Sequence, residues 1–364
     1  MIAGGLNVCS QPQPNNKAMK FRSQLASIAA LVAITPAFAQ VKVNDQVTVT
    51  GWATGSYDYT DTSPGGSTQT VNLDNALLQA TVTPTASPKV TGVFSVFYHP
   101  SSEGGVSPGG SEATLLDAYV SYNAGNGVTL TVGKFLSYLG YESFYSISDN
   151  MITLANQQLL APIPGYHEGF KLDYSPDKTD TMGFSVTDSE YQKPGYDATE
   201  GDGEIQHNGG FEAYYQNTAI NNLTVWAGVG YETKTQPGVD TDGVVTAGGA
   251  DVFVGDIWAS YTLDKAGDQV VAEEIYKSGG TGNKGSNWLF YYQYNVPNTK
   301  ISSWFCVSGE EVEGGGPKYT KYSISPTYTY NANLQARLQY SYTSYSAFAV
   351  KNANYFGMEV LFKF

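Results

Sequence analysis

Leu334-Gln-Ala-Arg-Leu-Gln-Tyr-Ser-Tyr-Thr343 puts Leu334, Ala336, Leu338, Tyr340 and Tyr342 on one side of an extended chain. Gln335, Arg337, Gln339, Ser341 and Thr343 fall on the other. Successive side chains of a strand point to opposite faces, so this stretch is a ribbon with one apolar and one polar face. An apolar face that ends in Tyr suits a strand standing between lipid and a polar lumen, with aromatics at the membrane interfaces. The same alternation recurs along the chain. Val128, Leu130 and Val132 alternate with Thr129 and Thr131, and Phe170, Leu172 and Tyr174 oppose Lys171, Asp173 and Ser175. Phe253, Ile257, Ala259, Tyr261 and Leu263 face away from Asp256, Ser260 and Thr262.

Sixteen such segments begin near residues 47, 74, 89, 114, 128, 168, 181, 209, 223, 250, 269, 286, 300, 318, 334 and 354. Their connections alternate in length. Pro84–Pro88, Gly125–Gly127, Pro176–Asp180, Ala219–Asn222, Asp264–Asp268, Val296–Thr299 and Asn331–Asn333 are short. Asp61–Gln69, His99–Ala113, Phe135–His167, Gln192–Asn208, Thr233–Gly249, Ser278–Gly285, Gly309–Pro317 and Ser346–Ala353 are mostly longer. Short turns on one side and longer loops on the other mark an outer-membrane barrel, and a β-sandwich gives no reason for such parity. The expected fold is an all-β transmembrane antiparallel barrel of about sixteen strands.

Composition points the same way. Of 364 residues, 14% are charged, against about 25% in an average soluble domain. Tyr numbers 28 and Gly 40, which argues against a helical or α/β enzyme. No apolar run reaches the length of about 18 residues that a spanning helix requires. The net charge is −14 and no basic cluster is present, so a nucleic-acid partner is not expected.

At the N-terminus, Lys20 and Arg22 precede the apolar stretch Leu25–Ile34, then Pro36 and the small-residue site Ala37-Phe38-Ala39. That order is a secretory signal peptide over residues 19–39, with cleavage before Gln40. Residues 1–18, upstream of Met19, read as an extension outside the native mature protein, leaving 40–364 as a single barrel domain. Cleavage removes three cations and no acid, so the mature chain carries 16 basic and 33 acidic residues, a net of −17. It also leaves Cys306 without a disulfide partner, most simply a strand residue.

Leu115-Leu-Asp-Ala-Tyr-Val-Ser-Tyr122, Gly127-Val-Thr-Leu-Thr-Val-Gly-Lys-Phe135 and Gly140-Tyr-Glu142 together resemble the OmpL-like outer-membrane β-barrel porins. Pro164-Gly-Tyr-His-Glu-Gly-Phe-Lys-Leu-Asp-Tyr174 is similar to the segment by which that family re-enters its barrel after a long loop. The resemblance covers most of the mature chain and implies a diffusion pore in a bacterial outer membrane. The closing strand Phe356–Phe364, with Phe356, Met358, Val360, Phe362 and Phe364 on one face, resembles the terminal signature that the barrel assembly machinery reads. Phe364 is the expected assembly signal. Arg337 is the only arginine after cleavage, so a ladder of arginines across the lumen is missing.

Phe135–His167 is the longest connection and the third on the long side, beyond the usual length of a structureless loop. Its Phe135, Leu136, Leu139, Phe144, Ile147, Met151, Ile152, Leu154, Leu159 and Leu160 need burial, and an exposed loop of this kind would aggregate. Folding into the lumen satisfies both length and composition. Latching onto a neighbouring subunit is the alternative. Ile152–Leu160 is expected to form a short helix between Asn150 and Pro162. The candidate constriction is Tyr138, Tyr141, Glu142, Tyr145 and Asp149, with Asp117, Lys134, Lys171, Asp173 and Arg337 on the lumen wall. With Glu142 and Asp149 in the lumen and acidic outer loops at its mouth, a weak preference for cations follows.

Chemistry of other kinds is sparse. His99, His167 and His207 are far apart, and no Ser sits in a nucleophile context. Gly280–Ser286 lacks the Ser or Thr that must follow the lysine of a phosphate loop. Asp240-Thr-Asp242-Gly243 and Asp197–Glu204 match no calcium-binding loop, and acidic outer loops of this kind are solvated or bridged to lipopolysaccharide by divalent ions. No cofactor, resident metal or enzymatic activity is expected. The expected partners are outer-membrane lipid and lipopolysaccharide, the assembly machinery and small hydrophilic solutes, with a homotrimer left open. The function expected is a passive diffusion channel. A non-conducting barrel acting as adhesin or structural protein is the competing class, and it would need about eight strands and bulky lumen residues.

Overall fold

Alternating sequences of this kind form strands because each buries or exposes a whole face at once, and the computed structural model realises the alternation nearly residue by residue. It describes residues 41–98, 113–142, 149–155, 159–160, 163–188, 209–233, 251–263, 267–279 and 284–364. The expected signal peptide and cleavage site lie outside these residues, as do His99, His207 and most of the long loops between them.

A two-residue segment, β1 (Val41–Lys42), pairs with the start of β2 (Val47–Ser63). The wall continues through β3 (Ser67–Val82), β4 (Val90–Tyr98), β5 (Ala113–Gly125), β6 (Val128–Leu136), β7 (Tyr166–Tyr174), β8 (Asp180–Thr187) and β9 (Gly210–Asn217). It is completed by β10 (Leu223–Glu232), β11 (Val252–Thr262), β12 (Gln269–Gly279), β13 (Gly285–Asn295), β14 (Ile301–Val312), β15 (Lys318–Asn331), β16 (Leu334–Ser346) and β17 (Asn352–Lys363). Each strand from β2 onward pairs antiparallel with its sequence neighbours, and β17 returns to β2. Sixteen strands thus close into a barrel with no free lateral edge, which satisfies every ladder without water.

The seam runs from Asn352↔Ser63 to Lys363↔Trp52, and beyond it Phe364 and Gly51 exchange two backbone hydrogen bonds of 2.9 Å. On β16, Ala336, Leu338, Tyr340 and Tyr342 are exposed while Arg337, Gln339, Ser341 and Thr343 are buried. The apolar face therefore points outward to lipid and the polar face into the ring. The tight β5–β6 turn uses positive φ at Gly125, Asn126 and Gly127. A Cβ on Gly127 would lie 2.0 Å from the Ser175 carbonyl oxygen, so only glycine fits.

One boundary differs from the sequence reading. Asp61–Gln69, expected as a loop, is largely strand, because Asp61↔Ser67 and Thr60↔Thr68 continue the ladder up to a tight turn at Pro64-Gly65-Gly66. Its Thr and Ser residues sit as comfortably in an extended ladder as in a loop.

Candidate pore constriction

The β6–β7 connection leaves the wall at Ser137 and returns at Gly165, where Ser137 N–H donates to the Gly165 carbonyl (2.9 Å). Side chains from the inner faces of several strands hold its main chain. Glu212 of β9 accepts from Tyr138 N–H (2.8 Å) and from the Ser137 hydroxyl. Asp256 of β11 accepts from Gly140 N–H (2.7 Å), and Glu273 of β12 from Tyr141 N–H (2.5 Å). Glu310 of β14 accepts from Leu159 and Leu160 N–H at 2.8 and 2.7 Å. Gln339 of β16 accepts from Ile152 and Thr153 N–H at 2.6 and 3.1 Å.

Cations serve the carbonyls. Lys171 donates to Leu136 O (2.7 Å), Lys277 to Leu160 O (2.9 Å) and Lys321 to Leu154 O (2.6 Å). Backbone groups removed from water must be paired, and here the wall supplies both acceptors and donors. This also explains a correction. The described residues 149–155 and 159–160 form bends, not the helix expected over Ile152–Leu160. Their N–H groups go to Gln339, Glu142 and Glu310 instead of to carbonyls four residues back.

Apolar packing reinforces these bonds. Leu139 joins a buried cluster with Trp226, Val254, Trp258 and Ile275. Met151 and Ala155 join Leu289, Tyr291, Trp304 and Cys306. Tyr214, Trp226 and Trp258 stack in succession at 5.9 Å each, and Tyr141 meets Trp258 edge-on at 5.4 Å. Burying side chains the size of Leu139 and Met151 contributes about 1.5–3 kcal/mol each.

Of the residues selected from sequence, Tyr138 donates its hydroxyl to Asp173 (2.7 Å) beneath the Lys171 ammonium, 4.1 Å from its ring. Glu142 is enclosed, with 2% of its surface exposed, and accepts from Ala155 N–H (2.7 Å) and from the Tyr291 hydroxyl. Burial pushes the Glu142 carboxyl above the usual carboxylate range, against the pull of Tyr291, Ala155 and Lys321. Burial likewise pushes the Tyr141 hydroxyl up to about 12 and that of Tyr138 well above its ordinary value. Asp149 is buried. Tyr145 lies outside the described residues.

Asp117 accepts from Ser95 (2.6 Å) and Gln79 (3.2 Å) on a different part of the inner wall. Arg337 faces Glu359 at 3.4 Å. Lys134 departs from its expected place. It is buried, but it pairs with Ala118 and Glu168 and shares the face of the exposed Leu130 and Val132, so strand parity puts it on the outer side.

Glu212, Asp256, Glu273, Glu310, Lys277 and Lys321 stand in no motif that sequence reasoning picks out. A signal exists nonetheless, since β10 to β14 are apolar on both faces, as in Trp288-Leu-Phe-Tyr-Tyr292. An inner face that is apolar must be covered, and the polar residues interrupting it mark what covers it.

The family model described as "Putative beta-barrel porin-2, OmpL-like" matches residues 46–364. The chain belongs to this family. It is thus a channel-type barrel of the bacterial outer membrane, and family and fold are those of a porin rather than an enzyme. No curated protein matches it. Among solved structures it is similar to Pseudomonas putida OprB in a high-pH form (9% identity, 88% of this chain and 94% of that one, TM-score 0.67). It is also similar to an anion-selective porin from Comamonas acidovorans (11%, 87% and 99%, TM-score 0.58). A third is the trimer form of in-vitro folded OmpT from Vibrio cholerae (15%, 88% and 100%, TM-score 0.55). At such identities the likeness of this OmpL-like porin to the three is one of fold.

Proposed function

We propose that this porin is a passive diffusion channel for small polar solutes and ions with a weak preference for cations. The observation that carries the reading is the fastening of the β6–β7 connection to inner-wall carboxylates and lysines of strands up to β16. Such fastening favours a segment that narrows the aperture over one that latches onto a neighbouring subunit. Tyr138, Tyr141, Glu142, Tyr145 and Asp149 make up the constricting segment in this proposal. Asp117, Lys171, Asp173 and Arg337 belong to the wall, and Lys134 is left out for its outward parity. The charge balance supports cations. Among the described residues, 13 carboxylates are buried against four lysine or arginine side chains once the outward Lys134 is set aside. Rings of acid lower the energy of a passing cation.

The proposed assembly is a homotrimer, a state named for the similar OmpT, and Phe364 is the proposed assembly signal. The test is a planar-bilayer recording on purified protein in a KCl gradient. Discrete conductance steps with a reversal potential on the cation side are expected. Absence of steps, or an anion-side potential, would overturn the reading.

A further inference from the structure

The carboxylates Glu212, Asp256, Glu273 and Glu310 are committed to loop amides, and Glu142 is enclosed, so none of these is free to meet a solute. A second group of acids sits elsewhere, on the inner face around the β17–β2 seam. Asp58 of β2 is half-buried, and its carboxylate accepts from Asn72 of β3 (3.3 Å) and from the Tyr355 hydroxyl of β17. Ser56 Oγ lies 2.6 Å from Asp58 Oδ2 and 2.7 Å from Asp74 Oδ1. A hydroxyl carries one hydrogen and can donate to only one of two ionised carboxylates. The other contact calls for a further positive charge, a proton or a cation, between Ser56 and the acids.

Glu359 stands directly across the ladder from Ser56, adding a third carboxylate. It is 3% exposed, and its Oε1 accepts no hydrogen bond. The cation facing this group is Arg337, whose guanidinium is 3.4 Å from that oxygen; Lys363 lies further along the same face. Three acids against one paired guanidinium leave a local negative surplus at a half-buried position that the described hydrogen bonds of the long connection do not reach. No group of three or more His, Cys, Asp or Glu side chains among the described residues is arranged to hold a metal ion, so the surplus suits cations in transit rather than a resident metal.

We propose that Asp58 and Asp74, backed by Glu359, form the cation-selecting station of this pore, and that the loop acids do not set its selectivity. The proposal rests on the channel reading above and names where the charge discrimination arises. It predicts that Asp58→Asn with Asp74→Asn lowers the cation-to-anion permeability ratio about threefold or more at low salt, where screening is weakest. Asp58→Glu should keep the ratio. Glu311→Gln, an exposed carboxylate outside the lumen, should leave it unchanged.

Because the double variant removes buried bonds, a second measurement stands beside it. Asp58→Cys in a Cys306→Ser background should react faster with a cationic than with an anionic methanethiosulfonate, and the adduct should reduce the current. A cation-selective parent whose ratio is unmoved by the double variant would overturn the station while leaving the channel reading intact. So would equal reaction rates of the two reagents with the introduced thiol. An anion-selective or non-conducting parent would instead overturn the channel reading itself.

Discussion

Replacing Glu310 by alanine should release the far end of the long connection without opening the barrel. Glu310 accepts from the Leu159 and Leu160 amides, and alanine removes the acceptor of both loop donors. An orphaned buried donor costs about 1–3 kcal/mol, and lumen water can partly compensate, so the low end applies to each. The sum, about 2 kcal/mol, raises the population of the detached loop about thirtyfold, at a tenfold change per 1.4 kcal/mol. Proteolysis reads that population when reclosure outpaces cleavage. No Lys or Arg lies between Lys134 and Lys171, so trypsin cannot cut the segment, whereas chymotrypsin has Phe, Tyr and Leu sites throughout it. Chymotrypsin should therefore cleave the refolded variant within residues 135–166 far faster than the parent, with trypsin fragments unchanged and the denaturant midpoint of the barrel little moved. Equal chymotrypsin rates would refute the claim that wall carboxylates hold the loop.

Other outcomes follow from the same geometry. Gly133→Ala should destabilise the barrel by at least about 1–3 kcal/mol, seen in denaturant unfolding, because φ is +127° and a Cβ would lie 2.2 Å from the Ala118 carbonyl oxygen. Phe364→Ala keeps the backbone pair with Gly51 and removes only a ring, at most a few kcal/mol of apolar burial. It should lower outer-membrane yield in cells while detergent-refolded protein keeps its heat stability, and normal insertion would contradict the assembly role. Burial raises the Glu142 pKa, so docking favours the protonated carboxyl more than the detached loop does. Docking should then weaken as pH rises from the ordinary carboxylate range through the raised value. The protection factor of the Ala155 amide, with the intrinsic pH dependence of exchange divided out, should fall over this window in the parent and stay level in Glu142→Gln.

The wall is largely legible in the sequence because a two-residue period has only two phases, and lipid on one side fixes which is apolar. Leu334–Thr343 declares its outer and inner faces outright, and most expected strand starts fall within two residues of those observed. The largest miss at a start, β3 at Ser67 instead of near 74, comes from a Ser/Thr/Gln-rich edge whose residues suit loop and strand alike. The interior is harder to read. Asp256 alternates correctly with its apolar neighbours, but nothing local says that its donor is Gly140, 116 residues away. Lys134 is easily misplaced because its strand passes Gly133, whose positive φ and missing side chain blur the alternation by eye.

The seam between β17 and β2 also orders events in time. Tyr355 and Asp58, bonded across it, are 297 residues apart, and every other strand pairing of the ring joins neighbours in sequence. Closing so long a stretch carries the largest entropy loss of any contact in the wall. Until it closes, β2 and β17 each present an unsatisfied edge that hydrocarbon cannot solvate. Sixteen strands joined by fifteen correct pairings are therefore still an open sheet with two such edges. The channel comes into being in one step, when the first wall strand finds the last.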